Sequence, residues 1–409
     1  MILLLAGLVL SAIGGLAGDR ASADRASDEV FFAQVLDHQF NLEYDVARGQ
    51  LLEWLHQYPA DVRALNYLGT VLLHREMFRR GILETRIYGE LGEMFQTRKM
   101  PFSAGFQGQL FEVLQKAQVL AENRLKQNPN DSEALYWAGI THATRAVFYF
   151  TMAKSYLAAL RESTEARKAH AQVLKINPNF VDAWLVVGVN DYVVGVLPWY
   201  LKMLASLAGY RGNRAQGIEE VKRVIEHGSL ARGDARFILA ILYRRQKMYP
   251  EALQVLQSLA ESYPRNFLLQ REVAEIFEIK GDWQAAAKVY DGLVAKVDAH
   301  GADPDLMPVA KILYEAGQIQ TRLGDSARAL KYFERAGGVR GDDIYIYRAE
   351  LAAADLYLRS NRRNDALRMY RRIAATIPNS DEGKAARRAL KKLQAVCGPS
   401  VAGSSWSKK

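Results

Sequence analysis

The chain of 409 residues is long enough for two or three ordinary globular domains, and it carries a formal net charge of +9. With 49% hydrophobic and 24% charged residues, it has the composition of a folded protein, and no long low-complexity linker interrupts it. The single cysteine, Cys397, excludes an intramolecular disulfide framework.

The N-terminal segment is predicted to be an export signal. Residues 1–18 carry no charged side chain, and Ile2 to Leu16 is an apolar run of the length of a signal-peptide core. The small residues at 21–23 offer a cleavage point, so we assign 1–23 to a signal peptide. An uncleaved membrane anchor is the alternative, and the absence of Lys or Arg before the run also leaves a mis-assigned start open.

Residues 28–180 are predicted to form irregular helical hairpins. Their apolar residues recur at three and four positions, as on one helix face, rather than at every second position. Asn128-Pro129 and Asn177-Pro178 each end one helix and precede another. These stops lie farther apart than the ~34 residues of a regular two-helix repeat, so elongated helices are expected at about 108–127 and 155–176.

Residues 181–232 depart most from a regular repeat, and they resemble a known family. The likeness rests on Leu197-Pro198, Gly209-Tyr210, Gly212-Asn213-Arg214 and Gly217. This order resembles a segment of the eukaryotic tetratricopeptide family that includes the yeast inclusion-body clearance protein, with Asn213 in place of the family's Asp. The resemblance covers residues 188–228 only, and it implies a non-enzymatic adaptor scaffold rather than a cellular role.

The same segment contains an apolar helix, predicted from Leu197 to Leu207. Trp199 and Tyr200 lie beside its apolar stripe, which suits contact with a membrane or a partner protein. A helix buried inside a helical array would need the same stripe, so burial is the competing interpretation.

Residues 233–264 contain the clearest repeat. Its large and small residues follow one another as Leu239, Ala240, Tyr243, Ala252, Leu256, Ala260 and Pro264. This spacing is typical of the tetratricopeptide repeat. Three further units begin at about Phe267, Ala310 and Tyr347, so 233–396 is predicted as four units with a capping helix and 397–409 as a disordered tail.

The chain is therefore identified as a tetratricopeptide repeat protein. Such a protein is all-α, a right-handed superhelical solenoid of helix-turn-helix hairpins, and we expect one continuous array. Because a single hairpin buries too little apolar surface to be stable alone, the units must stack, and the stack creates a concave surface for partners.

No pattern in the chain indicates catalysis, a cofactor or a metal. The seven histidines are scattered, and none pairs with another at the spacing that places two imidazoles on one helix face. Phosphate-binding loops, nucleophile elbows and dinucleotide fingerprints are also missing from the sequence. A non-enzymatic scaffold is favoured over a helical enzyme.

The concave surface is the default place for a protein or peptide partner. Its candidate residues on the inner helices are Arg63, Asn66, Phe237, Arg244, Arg271, Glu275, Lys311, Tyr314 and Gln318. Only Arg63 and Asn66 are spaced as a clamp for a peptide's terminal carboxylate requires, so such a clamp is not predicted.

The C-terminal end is strongly basic. Between Arg359 and Lys392 there are eleven basic and three acidic residues. The candidate patch for an anionic partner or lipid comprises Arg371, Arg372, Arg387 and Arg388. A polar capping helix that only keeps the array soluble would have the same composition, and nucleic acid is not an expected partner of an exported protein.

Two functions follow as hypotheses. The first is an exported, for example periplasmic, scaffold that binds protein or peptide on its concave surface. The second is a membrane-associated adaptor held by its N-terminal segment or by the helix from Leu197 to Leu207.

Overall fold

The structure is a computed structural model. It describes residues 17–85, 101–196, 199, 203, 212–300, 307–341 and 343–396. The apolar run of the predicted signal peptide, most of the predicted helix from Leu197 to Leu207, Cys397 and the tail lie outside the described residues.

The described residues form helices joined by turns and contain no β-strand. The backbone divides into two compact units, Met1–Asn266 (unit one) and Phe267–Lys409 (unit two). The division falls inside the segment predicted as four consecutive repeats, so the first of these repeats ends unit one and the other three lie in unit two.

Unit one is a series of helices in which each one packs against the next along the chain. It also contains a π-helical turn at Phe148–Met152 and a 3₁₀ turn at Val181–Ala183. The helices are α1 Ala17–Phe40, α2 Tyr44–Gln57, α3 Val62–Arg79, α4 Phe106–Gln127, α5 Ser132–Val147, α6 Tyr156–Ile176, α7 Trp184–Gly195, α8 Arg214–His227, α9 Arg232–Arg245 and α10 Tyr249–Ser262. The two elongated helices expected from the sequence are confirmed as α4 and α6.

Unit two repeats one hairpin geometry. Its helices are α11 Phe267–Ile279, α12 Trp283–His300, α13 Val309–Leu323, α14 Ser326–Gly337, α15 Ile344–Arg359, α16 Arg363–Thr376 and α17 Asp381–Val396. Besides packing on its neighbour in the chain, α13 contacts α15 and α15 contacts α17. Alternate helices therefore lie side by side in one layer, and the helices between them form a second layer.

Small residues set how closely the helices of a hairpin approach. At Gly317 of α13, an added Cβ would lie 2.5 Å from a ring atom of Phe333 of α14, so only glycine fits there. Ala286 of α12 and Ala329 of α14 are fully buried. Gly324 has a φ of 84° where α13 ends, a left-handed conformation that glycine adopts without strain.

Side-chain caps help to fix where helices begin. The carboxylates of Asp61 and Asp131 accept hydrogen bonds from the backbone N–H groups of Ala64 and Ala134 at the starts of α3 and α5. The side chain of Asn213 accepts from two N–H groups at the start of α8. Each cap satisfies a donor that the helix cannot satisfy itself.

The beginning and the end of unit one are joined directly. Phe40, the last residue of α1, stacks on Phe237 of α9 with 5.4 Å between ring centroids and lies 4.9 Å from the ring of Tyr263. The backbone approaches closely as well, because an added Cβ at Gly233 would lie 2.5 Å from the Phe40 ring. We call these contacts, with the polar ones that follow, the α1 closure.

Polar contacts surround the aromatic ones. The guanidinium of Arg265 pairs with Asp37 and with Glu43, each at 2.7 Å. The side-chain amide of Asn266 donates to the Phe40 carbonyl at 2.7 Å. These bonds join residues more than two hundred positions apart, so they connect the end of α1 to the end of unit one.

We expect Phe40→Ala to weaken the α1 closure far more than Arg265→Ala. Removing a large buried aromatic side chain costs about 3–5 kcal/mol, whereas pairs as exposed as those of Arg265 contribute about 0–1 kcal/mol. Hydrogen exchange should accelerate in α1, α9 and α10 of the Phe40 variant and change little in the Arg265 variant. Unchanged protection of α9 and α10 in Phe40→Ala would show that the α1 closure is not a stabilising contact.

Candidate functional site

Two of the predicted partner-binding residues of unit one are engaged inside it. Both terminal nitrogens of Arg63 donate to Glu29 of α1, at 2.6 and 3.0 Å, and the guanidinium lies 4.1 Å from the centroid of the Phe32 ring. Asn66 is fully buried: its amide nitrogen donates to the Val62 carbonyl, and its oxygen accepts from the Thr141 hydroxyl. They connect α3 to α1 and α5.

The other two candidates of unit one are also structural. Phe237 packs on Phe40 in the α1 closure, and Arg244 is buried with only 6% of its surface exposed. Of the four predicted residues, Asn66 and Arg244 are therefore buried in the interior, while Arg63 and Phe237 are partly exposed and contact α1. Helix α1 packs against this region, and the sequence pattern did not indicate that contact.

The five candidates of unit two share one surface. Arg271 and Glu275 lie on α11, and Lys311, Tyr314 and Gln318 lie at successive turns of α13. The side chain of Gln318 donates to the Tyr314 hydroxyl at 2.8 Å. All except Arg271 are partly exposed, which leaves their polar groups accessible from one side.

The surface continues onto α15. The Tyr314 and Tyr345 rings lie 5.7 Å apart, and the Lys311 ammonium lies 5.6 Å from the centroid of Tyr345. Arg348 lies 5.0 Å from the same ring and pairs with Glu382 at 2.9 Å. We call this area, formed by α11, α13 and α15, the unit-two surface.

A cleft opens between α11, α12 and α13 within the unit-two surface. Its volume is about 230 Å³, and its lining residues are Glu278, Trp283, Glu315, Gln318, Ile319 and Arg322. Sequence reasoning found Gln318 and missed the other five. Their spacing of three or four from the predicted residues on α11 and α13 is the signal that would have placed Glu278, Glu315 and Arg322 on the same helix faces.

The two carboxylates of the cleft differ in their partners. Arg271 donates to both oxygens of Glu315, at 2.7 and 2.6 Å, so that charge is neutralised by a two-point ion pair. Glu278 accepts from the Tyr290 hydroxyl at 3.1 Å, and the same hydroxyl lies 3.4 Å from Glu315. In the described part of the chain, no basic group lies within ion-pair distance of Glu278.

Burial raises the pKa of Glu278 to about 7, because a carboxylate loses hydration when it is surrounded by protein. The Tyr290 hydroxyl and the positive charge of Arg271 oppose this shift, while the neighbouring charges of Glu315 and Glu275 add to it. Near neutral pH the group is therefore poised between its neutral and charged forms. A cation brought to it would favour the charged form.

Of the four arginines predicted to form a basic patch, one is paired with a buried carboxylate and three are exposed. Arg372 pairs at 2.9 Å with Glu350, a carboxylate that is almost fully buried, and so takes part in packing. Arg371, Arg387 and Arg388 are exposed and have no ion pair within the described ranges. Lys384, Lys391 and Lys392 extend the same exposed side of α17 at helical spacing.

Two further findings concern only the residues that the structure describes. Within these ranges, no three His, Cys, Asp or Glu side chains are grouped as metal ligands. None of the described helices combines the length and the apolar character needed to cross a membrane. Trp199 and Met203, the two described residues of the predicted helix from Leu197 to Leu207, are 77% and 54% exposed.

Comparison with known proteins agrees with the helical pattern. The tetratricopeptide repeat model matches residues 202–267, 249–305 and 280–342. No curated protein matches the chain.

Similar solved structures include the Cut9–Hcn1 hetero-tetramer of the APC/C, with 14% identity and a TM-score of 0.42 over 91% of this chain and 58% of that one. Yeast Tom70 has 14% identity and a TM-score of 0.36 over 90% of each chain. Pseudomonas aeruginosa PilF has 13% identity and a TM-score of 0.37 over 65% of this chain and 99% of that one. Similarities this low carry no information about function. The family match thus places tetratricopeptide repeats within residues 202–342, and the described residues form an all-α array of helical hairpins.

Proposed function

We propose that the chain is a non-enzymatic scaffold that binds a protein segment or peptide on the unit-two surface. The observation that carries this proposal is the combination, on α11, α13 and α15, of partly exposed polar and aromatic side chains with an open cleft. An extended peptide needs both hydrogen-bonding groups for its backbone and recesses for its side chains, and this surface supplies both.

Unit one is the less suitable place for a peptide. Its predicted groove residues bind Glu29, Thr141 and Phe40 of the same unit. Asn66 and Arg244 are buried, and Arg63 and Phe237 already contact α1. The unit-two residues other than Arg271 are partly exposed.

Selection from a random peptide library tests the proposal. We expect the full chain to select peptides, and we expect the triple variant Lys311→Ala, Tyr314→Phe and Gln318→Ala to bind them at least about tenfold more weakly, since several polar contacts of about 0.5–1.5 kcal/mol each are lost. Tyr314→Phe keeps the ring contacts with Tyr345 and removes only the hydroxyl. Fluorescence anisotropy of labelled selected peptides measures the change.

The matched control replaces three exposed residues of α12 and α14, as Gln284→Ala, Lys288→Ala and Lys331→Ala. It should bind like the unmodified chain. Failure to select any peptide, or equal affinities for the triple variant and the control, would contradict binding on the unit-two surface.

A second candidate function is electrostatic attachment to anionic lipid through α17. It is favoured by the exposed basic side of that helix, which includes Arg387, Arg388 and the three lysines already described. Arg371 of α16 is a further exposed basic residue without an ion pair in the described part. Attraction of this kind depends on long-range charge and not on apolar insertion.

We expect the variant Arg371→Glu, Arg387→Glu and Arg388→Glu to lose binding to phosphatidylglycerol-containing vesicles, because it reverses the charge that attracts them. The unmodified chain should cosediment at low salt and much less at physiological salt. Arg372 is kept, since a glutamate there would face the buried Glu350 and disturb the fold.

The control for the vesicle assay reverses the same amount of charge elsewhere in unit two, as Lys280→Glu, Lys288→Glu and Lys331→Glu. It should still cosediment. Equal cosedimentation of both variants across the salt series would make the basic side of α17 a solubilising cap.

Export is part of the proposal, and it is supported by the apolar run from Ile2 to Leu16. The exposed Trp199 and Met203 support the alternative of a membrane-associated adaptor, since large exposed apolar side chains mark contact surfaces. We expect fractionation to yield a soluble extracytoplasmic protein whose N-terminus has been shortened. Retention in membranes after a salt wash, with an intact N-terminus, would favour the anchored adaptor.

A further inference from the structure

We propose that the cleft of unit two receives a lysine or arginine side chain of the peptide that binds the unit-two surface. This inference rests on the proposed function and adds the chemical class of the ligand. It depends on the charge, the shape and the walls of the cleft.

Glu278 is the group of the cleft that favours a cation, beside the Arg322 guanidinium that also lines it. Glu315 is already neutralised by Arg271, whereas Glu278 receives a hydrogen bond only from the Tyr290 hydroxyl within the described residues. A partly buried carboxylate without an ion-pair partner is destabilised by lost hydration, and an ion pair formed with a ligand offsets that cost. The ammonium or guanidinium of a ligand would therefore supply Glu278 with the neutralising positive charge that Arg271 already supplies to Glu315.

The walls of the cleft suit the aliphatic part of the same side chain. Trp283 and Ile319 provide apolar surface, and the cleft volume of about 230 Å³ is of the size that one long side chain needs. Lysine and arginine bury their methylene stems while the charged end stays hydrated or paired. The Arg322 guanidinium already lies 5.7 Å from the centroid of the Trp283 ring, so the charged end of a ligand would pair with Glu278 rather than with this ring.

Gln318 connects the cleft to the rest of the surface. It lines the cleft and also donates to the Tyr314 hydroxyl, so its amide lies where a peptide would pass from the recess onto α13. A basic side chain inserted beside Glu278 would therefore place the adjoining peptide backbone next to the hydrogen-bonding groups of α13.

Proton release gives this inference a distinct signature. The groups that face Glu278 are Arg271 and Glu275 of α11, Tyr290 of α12, and Glu315 of α13, with Arg322 at the cleft wall. Because a bound cation stabilises charged Glu278, binding releases a proton where the carboxyl was neutral. Since the pKa of Glu278 is about 7, affinity for a basic peptide should rise as pH increases through that value.

The test uses the full chain and a library of N-acetylated, C-amidated random octapeptides, so that no terminal amine or carboxylate competes. We expect Lys and Arg to be enriched at one peptide position. A selected peptide should lose about tenfold or more in affinity when that residue is replaced by glutamine, because a charge-assisted hydrogen bond is lost. Glu278→Gln should remove the preference for the basic peptide over its glutamine analogue.

Glu278→Gln retains the shape of the side chain and an acceptor for Tyr290. Its matched control is Glu261→Gln, which removes one exposed carboxylate from α10 and should leave the preference intact. Peptides selected without any enrichment of Lys or Arg, or a preference that survives Glu278→Gln, would overturn the inference while leaving peptide binding standing. If no peptide binds at all, the proposed function fails.

The unmodified chain provides a second readout that does not depend on a folded variant. The affinity for the basic peptide should rise between pH 6 and 8 relative to that for its glutamine analogue, with the midpoint near the Glu278 pKa of about 7. A ratio of affinities that stays flat across this range would overturn the assignment of Glu278.

Discussion

The structure depends on how closely two helices of a hairpin can approach. At Gly317 no side chain fits beside the Phe333 ring, and Ala286 and Ala329 are fully buried. Close approach lets large residues fill the space against the next hairpin, so each unit gains a continuous apolar core that no hairpin has alone. The stacking also brings alternate helices into one layer, and α11, α13 and α15 present the unit-two surface from that arrangement.

Both units consist of stacked helical hairpins, but their inner residues differ in what they contact. In unit one, α1 packs against the inner residues, and Phe40 joins α1 to α9. Side chains such as Arg63 and Asn66 then pack and form hydrogen bonds within unit one. In unit two the corresponding residues other than Arg271 stay partly exposed. Helical hairpins can therefore direct their inner residues into a structural core or leave them partly exposed, depending on what packs against the inner layer.

The sequence predicted features that depend on neighbouring residues, and it did not predict contacts between residues far apart in the chain. The helices, the two elongated segments and the small-residue contacts follow from periodicity and turn residues, which act over a few positions. The α1 closure joins Asp37 to Arg265, and no periodic pattern relates residues so far apart. For the same reason five residues of the unit-two surface were found, while the aromatic wall at Trp283 was not. Nor does a basic run reveal that Arg372 is bound to Glu350.

Glu278 illustrates why burial and charge must be considered together. A partly buried carboxylate with so strong a pKa shift is normally paired, because lost hydration outweighs a single neutral hydrogen bond. Its neighbour Glu315 has the pairing, through Arg271, and Glu278 does not. The Tyr290 hydroxyl is shared between the two, which fixes their separation without supplying a positive charge. The fold therefore maintains an acidic group whose unfavourable energy a basic ligand would relieve, and this provides a physical reason for the cleft to discriminate between peptides.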